Sequence, residues 1–257
     1  MNENKTIYFD YNATTPCDPQ VIEAMLPWFS AHFANPSSAL HAEGRRARQA
    51  VENARKQVAR LVNALPEEIF FTGSATESCN IAILGAARLI GGRIGKRQLI
   101  TTAIEHEAVL GPVHQLAREG FPTSEFGVDK QGKLHLDQLD TALKQPTGLV
   151  SIQAANNEIG VLQDIPEIAH RVHEAGALLH VDASQAVGKI PVDLDNWDAD
   201  LVSCSAHKLY GPKGVGALVI RGGFSSLPLP PLIFGGGQES GLRPGTENVP
   251  AIVGFGK

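Results

Sequence analysis

The stretch LVSCSAHKLYGPKGVGALVI, residues 201–220, joins two apolar runs through a polar, glycine-rich connection. The first run has the continuous hydrophobicity of a strand buried on both faces of a sheet, and it leads into Ser205, His207 and Lys208. A lysine at the end of a buried strand adds nothing to a core, because its ammonium group must stay hydrated or paired. Lys208 therefore either reaches solvent or takes part in chemistry.

Short apolar runs alternate with helical patterns along much of the chain. The runs with the character of strands lie at residues 67–73, 98–104, 147–155, 177–183, 199–206 and 214–220. Helical periodicity follows the first three of them. Strands that alternate with helices in this way predict an α/β fold with a largely parallel sheet flanked by helices.

The segment EGRRARQAVENARKQVARLVN, residues 43–63, predicts a long amphipathic helix. Apolar residues spaced at three and four positions form its expected core face: Ala47, Val51, Ala54, Val58, Leu61 and Val62. Its arginines and lysines raise the alternative of a nucleic-acid surface. The interspersed Glu43 and Glu52 favour a solvated outer face instead.

Composition and charge argue against several classes of protein. The 257-residue chain has a formal net charge of −5, which disfavours general binding to nucleic acid or anionic lipid. No apolar run reaches the ~18 residues of a membrane helix, and the N-terminus has no apolar stretch of signal-peptide length. Cys17, Cys79 and Cys204 show no CxxC spacing, which suits a reducing compartment. We therefore expect a cytoplasmic protein that binds neither nucleic acid nor membrane.

Polar residues follow five of the predicted strands. Because the carboxyl ends of parallel strands meet at one edge of an open α/β sheet, these residues are expected to surround a ligand. They are residues 72–77, Glu105 with His106, residues 156–158, Asp182 with Gln185, and residues 205–208.

Three of these groups point to one kind of cofactor. The turn at residues 73–76 opens a helix and offers backbone N–H groups to a phosphate, although it also fits a plain helix N-cap. Asp182 suits a protonated ring nitrogen, with a structural ion pair to Lys or Arg as the alternative. Lys208 suits a Schiff base with an aldehyde. An aldehyde, a phosphate and a pyridine nitrogen together describe pyridoxal 5′-phosphate.

The histidines and cysteines leave alternatives open. His106 could stack on a planar ring or act as an acid–base group, or it could be a satisfied polar residue. His170 and His173 form an H-x-x-H pair without a visible third ligand, so we expect no metal site. Strand alternation turns Cys204 away from the face that Ser205 presents, and we interpret it as a packed thiol.

Eight segments in order resemble the cysteine desulfurases of the NifS/IscS type, within the fold-type I, aspartate aminotransferase-like pyridoxal phosphate enzymes. They are YFDYNATTP, NPSSALHAEGRRAR, FTGSATESCNIAI, TTAIEHEAVL, ANNEIGVLQDI, HVDASQAVGKIPVD, SAHKLYGPKGVGAL and GGGQESGLRPGTENVPAIVGFGK. The resemblance implies a large cofactor-binding domain at residues 16–257, with a mostly parallel seven-stranded sheet. It also implies an N-terminal arm at residues 1–15 and a missing C-terminal small domain, so we expect a chain truncated at its C-terminus.

The resemblance assigns a role to each matching residue. Lys208 matches the Schiff-base lysine, Asp182 the partner of the ring nitrogen, and His106 the ring-stacking residue that assists proton transfer. The other contacts that it implies are Ala75 and Thr76 at the phosphate, Gln185 at the phenolic oxygen, Asn157 facing cofactor and substrate, Ser205 and His207 beside the lysine, and Thr246 at the phosphate of a partner subunit. The last contact implies a homodimer with shared sites.

The implied activity converts L-cysteine to L-alanine and passes sulfur, through an enzyme persulfide, to an acceptor protein such as an iron–sulfur scaffold. None of Cys17, Cys79 and Cys204 matches the persulfide cysteine, so we expect this chain to bind the cofactor without sustained desulfuration. Two alternatives remain: another fold-type I enzyme, such as a selenocysteine lyase or an aminotransferase, and a non-catalytic fragment that binds the cofactor or a partner.

Overall fold

The computed structural model describes residues 7–95 and 97–257, which are arranged around one seven-stranded sheet. Its strands are β1 (Ile69–Thr72), β2 (Gln98–Thr102), β3 (Thr123–Phe126), β4 (Thr147–Gln153), β5 (Leu178–Asp182), β6 (Leu201–Ser205) and β7 (Gly216–Ile220). Their order across the sheet is β1-β7-β6-β5-β4-β2-β3. Strand β7 runs antiparallel to both of its neighbours, and the other adjacent pairs are parallel. The predicted fold class is therefore confirmed.

Helices alternate with most of the parallel strands. They are α1 (Pro19–Met25), α2 (Ala42–Leu61), α3 (Ala75–Ile94), α4 (Glu107–Arg118), α5 (Leu136–Leu143), α6 (Ile165–Glu174), α7 (Leu194–Trp197) and α8 (Val249–Gly256). Short 3-10 helices lie at Leu26–Phe29, Pro66–Glu68, Ala206–Lys208 and Gln238–Gly241. In the described part of the chain, no helix is both long and apolar enough to cross a bilayer.

The sheet separates two hydrophobic layers. One contains apolar residues of α3 and α4, such as Ile81 and Leu116, and the other contains residues of α2 and α6, such as Val58 and Ile168. Every residue of β4 is buried, because both faces of the central strands are covered. This explains why the strands at the centre of the sheet are continuous apolar runs.

The predicted core face of α2 is correct except at its C-terminal end. Ala47, Val51, Ala54, Val58 and Val62 are all buried. Leu61 is 42% exposed, so its assignment to the core was wrong. The backbone leaves helical geometry at Val62, with φ −115° and ψ 11°, and Val62 rather than Leu61 fills the core at this point.

Candidate active site

A cavity of about 600 Å³ opens where the carboxyl ends of β4, β5 and β6 meet the first turn of α3. Its volume is in the range of small-molecule and cofactor sites. The predicted site residues that line it are Ala75, Thr76, His106, Asn157, Asp182, Gln185, Ser205, His207 and Lys208. Thr246 is exposed and lies outside this cavity. The N-terminal arm predicted at residues 1–15 falls partly outside the described residues, which begin at residue 7.

The first turn of α3 forms one end of the cavity. Ser74 is its N-cap, and the Ser74 hydroxyl accepts a hydrogen bond from the backbone N–H of Glu77 at 3.1 Å. Ala75 and Thr76 occupy the first two helical positions, where backbone N–H groups have no acceptor within the helix. These N–H groups and the positive end of the helix dipole are suited to a phosphate.

Glu77 and Arg243 brace this turn from outside the cavity. The Glu77 carboxylate accepts the backbone N–H of Gly73 at 2.6 Å and the Arg243 guanidinium N–H at 2.9 Å. Ala75 and Thr76 line the cavity, so their backbone N–H groups can bind an anion there.

A glycine on β7 allows the turn to approach the sheet. A Cβ atom at Gly216 would lie 2.6 Å from the carbonyl carbon of Ser74 and 2.9 Å from the backbone nitrogen of Ala75. Ser205 is the partner of Gly216 across the β6–β7 ladder. Its hydroxyl is buried without a hydrogen-bond partner, the one such side-chain atom among the residues described. A phosphate oxygen would satisfy this hydroxyl, so these residues fit a phosphate-bearing cofactor.

Asp182 lies at the bottom of the cavity and is 6% exposed. Its Oδ1 accepts hydrogen bonds from the backbone N–H of Ser184 at 2.9 Å and from the Ser184 hydroxyl at 2.6 Å. Within residues 7–95 and 97–257, Asp182 has no ion pair with Lys or Arg, so the structural alternative finds no support. The carboxylate is therefore placed to stabilise a positively charged group that enters the cavity.

Lys208 is half-buried, and its Nζ donates a hydrogen bond to the backbone oxygen of Asn12. Burial and the positive charge of Lys189 lower the pKa of Lys208, and they outweigh the opposing charges of Asp182 and Asp10. A lower pKa increases the fraction of unprotonated amine, which is the nucleophilic form. The environment of Lys208 thus favours chemistry over simple solvation.

Two histidines border the cavity near Lys208. His106 is the N-cap of α4, and its Nδ1 accepts the backbone N–H of Ala108 at 3.0 Å. Because Nδ1 accepts this hydrogen bond, a ring proton is carried on Nε2. His207 Nδ1 lies 3.1 Å from the Thr14 hydroxyl. Burial and the charges of two lysines, Lys208 and then Lys213, lower the pKa of His207, which keeps its ring neutral.

The N-terminal segment adds site residues that sequence patterns did not predict. Asp10 and Asn12 line the cavity. The Asn12 backbone oxygen accepts a hydrogen bond from Gln185 Nε2 at 2.9 Å, and the Asn12 side chain donates to the backbone oxygen of Asn157 at 3.3 Å. Gln185 therefore already uses one amide N–H within the protein. The segment YFDYNATTP contributes to the family resemblance as a whole, but its polar run has no periodicity that would place Asp10 or Asn12 in the cavity.

The cysteines and the H-x-x-H histidines lie away from the cavity lining. Cys79 and Cys204 are fully buried, and burial raises the pKa of Cys204 to about 12, as for a packed thiol. Cys17 is half-buried. His170 lies 3.6 Å from Glu174, and the His173 ring contacts aspartates rather than the cavity.

Comparisons with known proteins identify a family that matches the chain. The aminotransferase class-V family model matches residues 7–257. A cysteine desulfurase IscS from Anaeromyxobacter sp. (strain Fw109-5) is 51% identical over 254 residues, which are 98% of this chain and 61% of that protein. The chain thus spans between 50% and 64% of the length of the curated relatives that it matches.

Solved structures also superpose closely on the fold. A structure described as SspA in complex with cysteine has a TM-score of 0.93 and 43% sequence identity, and the match covers 98% of this chain and 71% of that one. A NifS-like protein has a TM-score of 0.92 and 45% identity, with coverage of 97% and 68%. Proteins of this family depend on pyridoxal phosphate. The chain belongs to the class-V aminotransferase family, among its NifS- and IscS-like cysteine desulfurases.

Proposed function

We propose that the protein is a pyridoxal phosphate-dependent cysteine desulfurase that acts on L-cysteine. We further propose that residues 16–257 form its cofactor-binding domain, with residues 1–15 as an arm. The observation that carries the proposal is one cavity in which Lys208, Asp182, Ser205 and the first turn of α3 converge. The similarity to a structure described as a complex with cysteine supports the choice of substrate.

Different groups in the cavity are suited to different parts of the cofactor. The N–H groups of Ala75 and Thr76 and the unpaired hydroxyl of Ser205 would hold the phosphate. Asp182 would hold the ring nitrogen in its protonated form, and the amine of Lys208 would hold the aldehyde carbon. When bound, pyridoxal phosphate supplies an electron sink for bond breaking at the substrate Cα.

Lys208 and His106 are the proposed proton carriers. The lowered pKa of Lys208 makes its amine a base that can take a proton from the substrate Cα. His106 carries a proton on Nε2 because its Nδ1 accepts a backbone N–H, so its ring can donate a hydrogen bond into the cavity. Gln185, Asn157 and His207 would complete the contacts with cofactor and substrate.

The thiol that accepts sulfur is proposed to lie outside the set Cys17, Cys79 and Cys204. None of these three cysteines lines the cavity, and the thiolate form of Cys204 is suppressed by burial. The persulfide sulfur would then pass to an acceptor protein of the iron–sulfur scaffold type. We also propose that the protein is a cytoplasmic homodimer. Thr246 is exposed and lies outside the cavity of its own subunit, so it is accessible for a contact with the phosphate in a partner subunit.

The test adds pyridoxal phosphate and then L-cysteine to the purified chain, in the presence of a thiol reductant. We expect a saturable change in visible absorption with L-cysteine that is lost in Lys208→Ala. Because Cys17, Cys79 and Cys204 all lie outside the lining of the cavity, L-cysteine should not sustain sulfide release.

Two outcomes would contradict the proposal. Formation of a keto acid from several amino acids, without a specific response to L-cysteine, would indicate an aminotransferase. Continuous sulfide release that survives Cys204→Ala would show that the proposed place of the sulfur-accepting thiol is wrong.

A further inference from the structure

The turn between β2 and α4 carries His106 to the edge of the cavity, and two residues from the β4 side hold its backbone. The carbonyl oxygen of Ile104 accepts hydrogen bonds from Gln153 Nε2 at 2.6 Å and from Asn156 Nδ2 at 3.0 Å. The backbone just before His106 is therefore fixed to the end of β4 by two side-chain amides.

The Glu105 side chain adds a second attachment of the same turn. Its Oε1 accepts the Thr102 hydroxyl at 2.5 Å, and its Oε2 accepts the backbone N–H of Gln153 at 2.7 Å. Thr102 ends β2 and Gln153 ends β4, so this one carboxyl group joins the ends of two neighbouring strands. We call Thr102, Glu105 and Gln153 the turn clamp.

Glu105 is an unusual residue for such a position. It is 6% exposed and does not line the cavity. Burial raises the pKa of Glu105 to about 8. The negative charge of Asp182 also raises this pKa, whereas the hydrogen bond from Thr102 lowers it. Among the residues that the structure describes, no cation contributes to its environment, and the thiol of Cys79 also interacts with it. A buried carboxyl group without a cation is costly, and an ordinary core residue would avoid that cost.

We propose that Glu105 is a positioning residue that holds His106 at the cavity through the turn clamp. In the described part of the chain, Glu105 is not among the residues that line the cavity and forms no hydrogen bond with the His106 ring, so it acts on that ring through the backbone that it fixes. The inference rests on the proposed function, because His106 is assigned there to cofactor binding and proton transfer.

The matched variants are Glu105→Gln and Glu105→Leu. In Glu105→Gln the amide oxygen can accept the Gln153 N–H and the amide nitrogen can donate to the Thr102 hydroxyl, so both attachments persist. In Glu105→Leu the new side chain has a similar volume, but both attachments are lost. Thr102→Val removes one attachment and replaces Glu105→Leu in the test if that variant does not fold. Folding of each variant is checked by far-UV circular dichroism.

The first measurement is the affinity for pyridoxal phosphate and the circular dichroism of the bound cofactor. We expect Glu105→Leu to weaken binding about tenfold and to reduce the cofactor signal, as for the loss of one or two hydrogen bonds, with Glu105→Gln close to wild type. In a His106→Asn background, which removes the ring but keeps an N-cap residue, Glu105→Leu or Thr102→Val should change binding less than about twofold.

The second measurement needs no cofactor. The ring signals of His106 in histidine-labelled protein should shift or broaden in Glu105→Leu and remain in place in Glu105→Gln. Wild-type protein that binds no pyridoxal phosphate would reject the proposed function, while these ring signals would still test the clamp. Three outcomes would overturn the inference. The first is an undiminished effect of Glu105→Leu or Thr102→Val in the His106→Asn background, and the second is unperturbed His106 ring signals in Glu105→Leu. The third is a Glu105→Gln variant that is as defective as Glu105→Leu.

Discussion

Lys208 obtains its chemical environment from residues that are distant in the sequence. Lys208 lies in the 3-10 turn that follows β6, and its amine donates a hydrogen bond to the backbone oxygen of Asn12. Its main charged neighbours are Lys189 and Asp182. The position of the amine follows from the strand end, whereas its lowered pKa follows from burial and from Lys189. Reactivity at this residue is therefore a property of the folded chain.

Removal of the Lys189 charge should raise the pKa of Lys208. Because the positive charge of Lys189 disfavours protonation of Lys208, Lys189→Met should move the pH at which pyridoxal phosphate attaches to the amine upward. The measurement is the pH dependence of the visible absorption of the cofactor adduct. Lys213→Met is the matched control, because the charge of Lys213 lowers the pKa of His207 and does not contribute to the lowered pKa of Lys208. A midpoint that stays in place or moves downward in Lys189→Met would contradict this explanation.

Two helix ends make close contacts with the sheet or with a loop beside it, one at the site and one away from it. The first turn of α3 lies against β7 because Gly216 has no side chain, and this contact brings Ala75 near Ser205. Similarly, the end of α6 is joined to the loop before β6 through His173, which lies 3.2 Å from Asp198 and 3.0 Å from Asp200. Both contacts are open to direct tests.

Gly216→Ala should disturb the proposed phosphate site. The added methyl group would meet backbone atoms of Ser74 and Ala75, which cannot rotate away, so we expect a stability loss of about 1–3 kcal/mol and weaker binding of pyridoxal phosphate. Gly92→Ala, on α3 itself, is the matched control. An added Cβ there meets no atom within 4 Å, and alanine favours helix by roughly 0.5–1 kcal/mol. Equal stability of Gly216→Ala and wild type would argue against the close approach.

His173 should make stability depend on pH. Burial would lower its pKa, but hydrogen bonds and charges from Asp200 and Asp198 outweigh burial and raise the pKa above 6.5. A raised pKa stabilises the fold below the unfolded value, and the contribution disappears as pH rises through the folded pKa. The free energy of unfolding of wild type relative to His173→Gln, measured by urea denaturation, should therefore be larger at about pH 6 than at about pH 8. A difference in the free energy of unfolding that grows toward pH 8 would contradict this prediction.

Across the whole molecule, the sequence predicts the parts that local patterns encode. Buried parallel strands are continuous apolar runs, and their polar ends place Asp182, Ser205 and Lys208 around one cavity. The edge strand β3 was not predicted, because its TSEF sequence is polar and only half-buried. The contribution of Asn12 was missed for another reason. It bonds to Asn157, 145 positions away, and no local pattern encodes such a contact.

Reduction of a complex with pyridoxal phosphate by borohydride, followed by peptide mapping, would show whether Lys208 is the amine that forms the Schiff base. We predict one stable cofactor adduct on Lys208, which is lost in Lys208→Ala and retained in Lys189→Met. A protein that gives no adduct at saturating cofactor, or one whose adduct lies on another lysine, would contradict it.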